Sequence, residues 1–200
     1  MMMSFTDLQE KRRSIYVLGD NVSQTPEELF ELVKSAVKHA PTAFNNQTVR
    51  TVVLFGEKKD QLWDITADRL KSEVPTEAAY QNTLEKLNSF KAGVATVLFY
   101  SDTDVVKTFE ENIPLYSENF YDWSEQGHGI AEYATWLAVT EAGLGANIQH
   151  YNPLIDEPVA KAFDIPAHWR LRAQLNIGSI EEPASIKEYM TDDDRFKLVK

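Results

Sequence analysis

The sequence contains no cysteine, which excludes disulfides, thiolate metal sites and cysteine nucleophiles. It also lacks the phosphate-binding patterns GxGxxG and GxxxxGK[ST] and the nucleophile pattern GxSxG. Basic residues are few, since 20 lysines and arginines stand against 31 acids for a net charge of −11 at pH 7. That imbalance argues against a surface for nucleic acid or anionic membranes. If the chain is an enzyme, a bound cofactor is expected to carry the chemistry.

Long hydrophobic runs are missing as well. The longest apolar-rich run, residues 94–100, has the length of a strand, and residues 1–13 contain no apolar signal core. We therefore expect a cytoplasmic protein without a membrane segment, with residues 1–200 forming one domain. No metal site is predicted, because the four histidines lack the spacing of ligands: His39, His128, His150 and His168.

Residue patterns predict alternating helices and strands. The capping box Thr25-Pro26-Glu27-Glu28 begins a helix that ends near His39. The apolar run at 94–100 predicts a central strand, and strict alternation at 169–177 predicts a half-buried strand. Further helices are predicted at 4–11, 58–71, 76–91, 102–111 and 156–163, and further extended segments at 15–18 and 50–55.

The stretch 124–151 contains the most buried helix of the predicted set. From Ile130 to Ala142 it is apolar on nearly all sides, which indicates burial on more than one face. Gly143 and Gly145 can end this helix, and the polar residues 147–151 are predicted to form its exit loop. That exit is either an ordinary loop or the edge of a ligand site.

An aromatic segment, residues 115–123, precedes this helix without a clean period. It is interpreted as a lid over a flat group or as a simple edge of the core.

Two shorter segments carry candidate ligand chemistry. Residues 12–14, here called the basic segment, are Arg12-Arg13-Ser14, whose donors suit a phosphate. The alternative is a solvated helix end. Residues 41–47, here called the carboxamide loop, include Asn45, Asn46 and Gln47. Three carboxamides suit a planar heterocycle with alternating carbonyl and imide groups, or they merely form a polar turn.

The segments RRSIY, APTAFNNQ and GLGANIQHYNP follow one another in this order. Together they resemble the nitroreductase family of flavin mononucleotide (FMN) enzymes, closest to the subgroup related to the fungal fatty-acid-repression nitroreductases. The resemblance implies an α+β fold, with a mainly antiparallel central sheet flanked by helices, in an intertwined homodimer. It also implies an FMN-dependent oxidoreductase. Hydride would pass from NADH or NADPH through flavin N5 to a small aromatic acceptor, such as a nitroaromatic or a quinone, in a ping-pong cycle.

The same resemblance assigns cofactor contacts and no catalytic side chain. Arg12, Arg13 and Ser14 would hold the FMN phosphate and ribityl chain. Gln149 and His150 would lie against the isoalloxazine ring. The carboxamide loop would reach the partner subunit's flavin through Pro41, Thr42, Asn45, Asn46 and Gln47. A cation from the polar tail, residues 181–200, would complete the phosphate site, either Lys187 or Arg195, as the tail wraps the partner subunit.

Two positions depart from the family pattern. Thr48-Val49 stands where members usually have a proline and an aromatic residue, and Tyr16 stands where many have a cation near flavin N1 and O2. The group that stabilises the reduced flavin is therefore left open. Two other interpretations are a flavin-binding regulatory or lipid-response protein with little turnover, and a plain α/β interaction module.

Overall fold

A computed structural model of the protein describes residues 4–200. The helices are α1 Phe5–Lys11, α2 Pro26–His39, α3 Gly56–Leu70, α4 Glu77–Lys91, α5 Thr103–Asn112, α6 Ser117–Glu141, α7 Asp156–Phe163 and α8 Asp192–Arg195. The strands are β1 Leu18–Gly19, β2 Val49–Phe55, β3 Ala95–Asp102, β4 Gly145–Gln149 and β5 Trp169–Ile180. Within the described range, no helix combines the length and the hydropathy that crossing a bilayer requires.

The five strands form one sheet in which every strand pair is antiparallel. β3 lies between β2 and β5, and β4 pairs with the opposite side of β5. The short β1 extends the pairing at the end of β5. The predicted α+β fold, with a mainly antiparallel sheet flanked by helices, is confirmed.

β3 is the centre of the sheet because both of its faces are covered. Val97 and Phe99 point into the core below α2 and α6. Leu98 and Tyr100 point into a second core below α3, α4 and α7. All eight residues of the strand are buried, which explains why it lacks the alternation of a half-exposed strand. The predicted central strand is confirmed.

Two predicted helix signals are confirmed, one at the start of α2 and one at the end of α6. The Thr25 hydroxyl accepts from the Glu28 amide at 3.2 Å, and the Glu28 carboxylate accepts from the Thr25 amide at 2.8 Å. This reciprocal cap satisfies two amides at the start of α2. α6 ends where Gly143 adopts a φ of +81°, a conformation that costs glycine little.

The aromatic segment is helical, because residues 117–123 form the first turns of α6. Its interpretation as a lid over a flat group or as an edge of the core stays a prediction. One prediction around α6 was wrong. The exit loop is instead the strand β4, whose polar residues are buried beside β5. In both cases the deciding contacts come from residues far away in the sequence, so local periodicity does not reveal them.

One row of buried polar side chains crosses the sheet. Thr96 of β3, Asn176 of β5 and Asn147 of β4 are directly opposite one another and fully buried, and we call them the amide row. The Thr96 hydroxyl donates to Asn176 Oδ1 at 2.8 Å, and Asn176 Nδ2 donates to Asn147 Oδ1 at 3.1 Å. Asn147 Oδ1 also accepts from Gln149 Nε2 at 2.9 Å, while its Nδ2 donates to the Ile15 carbonyl at 2.8 Å. The amide row therefore ties the N-terminal segment to the middle of the sheet.

Asn147→Ala removes partners from three buried groups at once, on Ile15, Gln149 and Asn176. Because unpaired buried polar groups are costly, we expect the free energy of unfolding to fall by about 3 kcal/mol. Urea unfolding followed by circular dichroism measures this loss. The matched control is Asn82→Ala on the exposed side of α4, which should change stability by less than about 0.5 kcal/mol. Equal stability of the two variants would contradict the role of the amide row.

Candidate functional site

The basic segment lies against β4. Ser14 forms a parallel bridge with Ala146, and the Ile15 amide donates to the Ala146 carbonyl at 2.9 Å. Gly145 permits this approach, because a Cβ there would lie 3.1 Å from the Ile15 Cβ and closer still to Ile180. The structure thus brings residues 12–14 next to the strand that contains Gln149.

The outer edge of β4 is partly open. Among residues 4–200, the pairing on this side of the strand stops at Ala146. Backbone groups two residues apart point the same way along a strand, so those of Ile148 face the same open side. Gln149 is buried and bonded to Asn147, while the following His150 is exposed. Gln149 can therefore fix the shape of this edge, and the neighbouring backbone and His150 remain available to a ligand.

The two arginines of the basic segment differ in their surroundings. The Arg12 guanidinium lies 4.6 Å from the centre of the Trp136 ring, and its buried Nε makes no hydrogen bond. Arg13 donates through Nη2 to the Ser185 carbonyl at 2.6 Å. Tyr16, two residues after Ser14, is exposed on the same extended segment. An arginine with an unpaired buried nitrogen beside a second arginine and a hydroxyl is a donor set that fits a phosphate.

The tail meets the basic segment at Ser185, whose carbonyl accepts from Arg13. Lys187 follows two residues later, exposed, with its ammonium 4.8 Å from the Tyr189 ring. Arg195, in the short α8, stacks on Phe196 at 5.4 Å. Of the two candidate cations, Lys187 is thus the nearer in sequence to the contact with Arg13. The tail is polar in overall composition, and it exposes six large hydrophobic residues: Ile186, Tyr189, Met190, Phe196, Leu198 and Val199.

The carboxamide loop connects α2 with β2 and has an unusual backbone. Phe44, Asn45 and Gln47 all have positive φ, between +49° and +53°. The Thr42 hydroxyl accepts from the Gln47 amide at 3.0 Å, and Asn45 and Gln47 are exposed. Asn46 is instead buried, and its side-chain amide makes no hydrogen bond. The loop therefore presents two carboxamides to the outside and holds the third inside, with Pro41 exposed at its start.

Four aromatic side chains pack beside this loop, namely Phe44, Tyr116, Phe120 and Trp123, and we call them the aromatic cluster. Phe44 lies nearly parallel to Trp123, with ring centres 5.9 Å apart and a 27° angle between planes. The Phe44 ring also packs against Tyr116 and Phe120, with ring centres 5.9 and 5.6 Å apart. A cavity of about 390 Å³ opens between the loop and α6, lined by Pro41, Thr42, Ala43, Phe44, Trp123, Gln126, Gly127 and Ile130.

The basic segment and the carboxamide loop lie at opposite edges of the sheet. The loop leads into β2, whereas the basic segment borders β4, and β3 and β5 lie between them. Three strand spacings separate β2 from β4, which is about 14 Å across the sheet. Gln149 is also shifted along β5, since it faces Gln174 while the start of β2 is level with Arg170. Within one chain, the two halves of the predicted site therefore lie at different edges of the sheet.

Sequence reasoning missed several residues that shape these two regions. Asn147 and Asn176 belong to the amide row, while Arg50 donates to the Gln47 carbonyl and pairs with Asp102. The sequence offered no signal for these roles, because Asn176 is one of the polar positions of an alternating strand and Asn147 belongs to the predicted exit loop. Tyr151, predicted in the exit loop, turns inward against Trp63, and burial raises the pKa of its hydroxyl. Among the described residues, no three histidine or acidic side chains are grouped as metal ligands.

Comparisons with known proteins agree with this architecture. The sequence profile described as "Nitroreductase family" matches residues 10–179. The nitroreductase CinD from Lactococcus lactis, solved with nicotinic acid, is 51% identical, with 98% of this chain and 100% of that chain covered and a TM-score of 0.91. The same protein was also solved with 4-nitrophenol.

Two curated proteins of Saccharomyces cerevisiae are similar as well. HBN1 is 30% identical over 184 residues, covering 91% of each chain. The nitroreductase FRM2 is 29% identical over 169 residues, covering 84% of this chain and 83% of its own. The sequence profile spans most of the chain, and the fold agrees with it. The chain belongs to the nitroreductase family.

Proposed function

We propose that the protein is an FMN-dependent oxidoreductase that uses NADH or NADPH to reduce small aromatic acceptors such as nitroaromatics and quinones. The observation that carries this proposal is the placement of the basic segment beside β4. Two arginines and a serine there border a strand edge with free backbone groups. A phosphate with a flat heterocycle attached matches both parts of that surface.

In this proposal Arg12, Arg13 and Ser14 bind the FMN phosphate. Arg12 is held in place by Trp136, which reduces the entropy lost when its guanidinium binds an anion. Lys187 supplies a further cation, carried by the tail segment that Arg13 holds through Ser185. The chain is otherwise acidic, with a net charge of −11, so this group of positive charges is locally distinct.

The ring system of FMN lies along the open edge of β4 in this proposal. The Ile148 backbone faces that edge, the exposed His150 follows directly after β4, and Gln149 fixes the shape of the edge from inside. Tyr16, exposed two residues after Ser14, adds a hydroxyl group near the basic segment. The chemistry that FMN supplies when bound is hydride acceptance at N5 from NADH or NADPH and hydride donation to the acceptor. The side chains bind, orient and exclude water, and none is assigned a covalent step.

We further propose that the working unit is a homodimer, in which each carboxamide loop serves the partner subunit's cofactor. The opposite-edge placement within one chain supports this, because Asn45 and Gln47 are exposed at the β2 edge of the sheet while the basic segment borders β4. An apolar groove of about 760 Å³ lies between α1, α2 and α6, and the tail exposes six large hydrophobic residues. A second copy would cover such surfaces, with the tails at 181–200 wrapping the partner, as obligate dimers do.

We assign the acceptor to the cavity beside the aromatic cluster. Phe44 and Trp123 provide nearly parallel ring faces there, which suit a planar molecule. The ligands in three CinD structures, nicotinic acid, 4-nitrophenol and chloramphenicol, all contain an aromatic ring. These similarities favour an aromatic acceptor over an aliphatic one.

The test of this function uses the purified full-length protein. We expect a yellow protein, or one that turns yellow with added FMN, that oxidises NADH or NADPH with 4-nitrophenol or a quinone. Because donor and acceptor would share one pocket, double-reciprocal plots at several acceptor concentrations should be parallel. Intersecting lines would contradict the shared pocket. A protein that remains colourless after FMN is added would end the flavoprotein interpretation, and bound FMN without turnover would favour a regulatory role.

Arg12→Ala should weaken FMN binding by about 1.5–3 kcal/mol, because it removes hydrogen bonds to a charged group. Isothermal titration of the apoprotein with FMN measures the difference. The matched control is Lys11→Ala, which removes an equal charge from the exposed end of α1. If both substitutions weaken binding equally, general electrostatics rather than a specific phosphate contact accounts for the loss.

Ending the chain at Ile186 should release FMN and weaken dimerisation together, because the tail would embrace the partner subunit. Sedimentation velocity measures the dimer, and the fluorescence of released FMN measures the cofactor. Full-length Lys187→Ala is the control, expected to weaken FMN binding while the dimer persists. A truncated monomer that keeps its flavin and activity would show that one chain makes the whole site.

A further inference from the structure

The carboxamide loop holds a backbone that its own sequence does not favour. Phe44, Asn45 and Gln47 have φ of +53°, +53° and +49°. Residues with side chains rarely adopt these values, and such a conformation persists only where neighbouring groups impose it. Within the loop, the Asn45 and Asn46 amides donate to the Thr42 and Ala43 carbonyls at 3.0 Å each, and the Thr42 hydroxyl accepts from the Gln47 amide at 3.0 Å. Phe44 is also packed on the aromatic cluster. At the other end of the loop, the Gln47 carbonyl takes its support from outside the loop.

Arg50 of β2 supplies that support. Its Nη1 donates to the Gln47 carbonyl at 2.6 Å and to the Val49 carbonyl at 3.1 Å. Its Nη2 lies 2.9 Å from Asp102 Oδ2. One guanidinium thus spans the last residue of the loop, the start of β2 and the end of β3.

Asp102 is itself fixed independently of the loop. Its Oδ1 accepts from the Asp104 and Val105 amides at 3.2 Å each and so caps α5. Its backbone amide donates to the Thr48 carbonyl at 2.8 Å. The side chain is only 7% exposed, against 29% for Arg50, so the ion pair is largely removed from water. A carboxylate held by a helix start in this way gives Arg50 one defined position.

We propose that Arg50 and Asp102 are a positioning pair for the cofactor site. They hold the Gln47 carbonyl, and through it the left-handed turn that directs the Asn45 and Gln47 side chains outward. Their proposed role acts through the loop and requires no contact of either residue with the cofactor. The proposal rests on the proposed function in one respect, namely that these two carboxamides bind the flavin of the partner subunit.

Two conservative substitutions separate positioning from folding. Asp102→Asn keeps Oδ1, and with it the cap of α5, but places an amide donor where Arg50 Nη2 needs an acceptor. Arg50→Lys keeps the positive charge, but one ammonium cannot reproduce the planar fork that reaches two carbonyls and a carboxylate. Arg69→Lys on α3 is the matched control, since Arg69 bonds to Leu154, Ser72 and Glu73 and to no residue of the loop.

The first measurement is amide hydrogen exchange of the full-length protein, analysed by mass spectrometry over residues 41–49. We expect faster exchange in this segment for Asp102→Asn and Arg50→Lys, with exchange in α2 and β3 unchanged below the unfolding temperature, which itself should fall because a largely buried ion pair is broken. Arg69→Lys should leave this segment as it is. Unchanged exchange at 41–49 in both variants would overturn the proposal, and this readout holds whether or not the protein binds FMN.

The second measurement is FMN affinity. Each variant should bind FMN about tenfold more weakly, the scale of one hydrogen bond to a charged group. The double variant should lose little more than the weaker single one, because the two residues act as a unit. Additive losses, or affinity equal to wild type in both single variants, would contradict the positioning role. A wild-type protein that binds no FMN would instead contradict the proposed function and leave the exchange result to decide on the pair.

Discussion

The amide row is the interaction on which the rest of the site depends. Asn147 connects the Ile15 carbonyl to Asn176, and Asn176 connects to Thr96 in the centre of the sheet. These groups are fully buried, so each hydrogen bond is expensive to lose. The consequence is that residues 12–17, which lie between α1 and β1, take a defined position beside β4. The location of two arginines at the surface is thereby set by asparagines inside the sheet.

The sequence predicted those elements whose signals are local. The capping box at Thr25 identified the start of α2, and the apolar run at 94–100 identified the central strand. It did not predict β4, because Asn147 and Gln149 look like loop residues until their partners on β5 and the N-terminal segment are known. The first turns of α6 were missed for a similar reason. Phe120 and Trp123 pack on Phe44, a residue more than 70 positions away, so no local period shows their role.

The same distinction between local signals and distant contacts applies to the candidate site. Residue types alone indicated the basic segment and the carboxamide loop, because guanidinium groups and carboxamides have specific bonding preferences. The sequence did not show that Asn46 turns inward while Asn45 and Gln47 turn outward. It also gave no reason to connect Arg50 with Asp102, since that pairing depends on the register of β2 against β3. The tail appeared polar because its six hydrophobic residues are scattered among acids, yet all six are exposed.

Exposed hydrophobic residues in the tail, an open edge on β4 and a strained loop would each be unfavourable in an isolated chain. The open edge leaves backbone groups unpaired, and the loop keeps three residues in left-handed conformations. In the proposed dimer one event covers both the tail and the strand edge, because the partner packs on the tail while its loop and the cofactor meet the edge of β4. Cofactor binding and dimer stability would then be thermodynamically linked, each increasing the other. Arg50 and Asp102 hold the loop in one conformation, so the loop loses less entropy when it binds the partner's cofactor. The fixed loop of one subunit thereby increases the cofactor affinity of its partner's site.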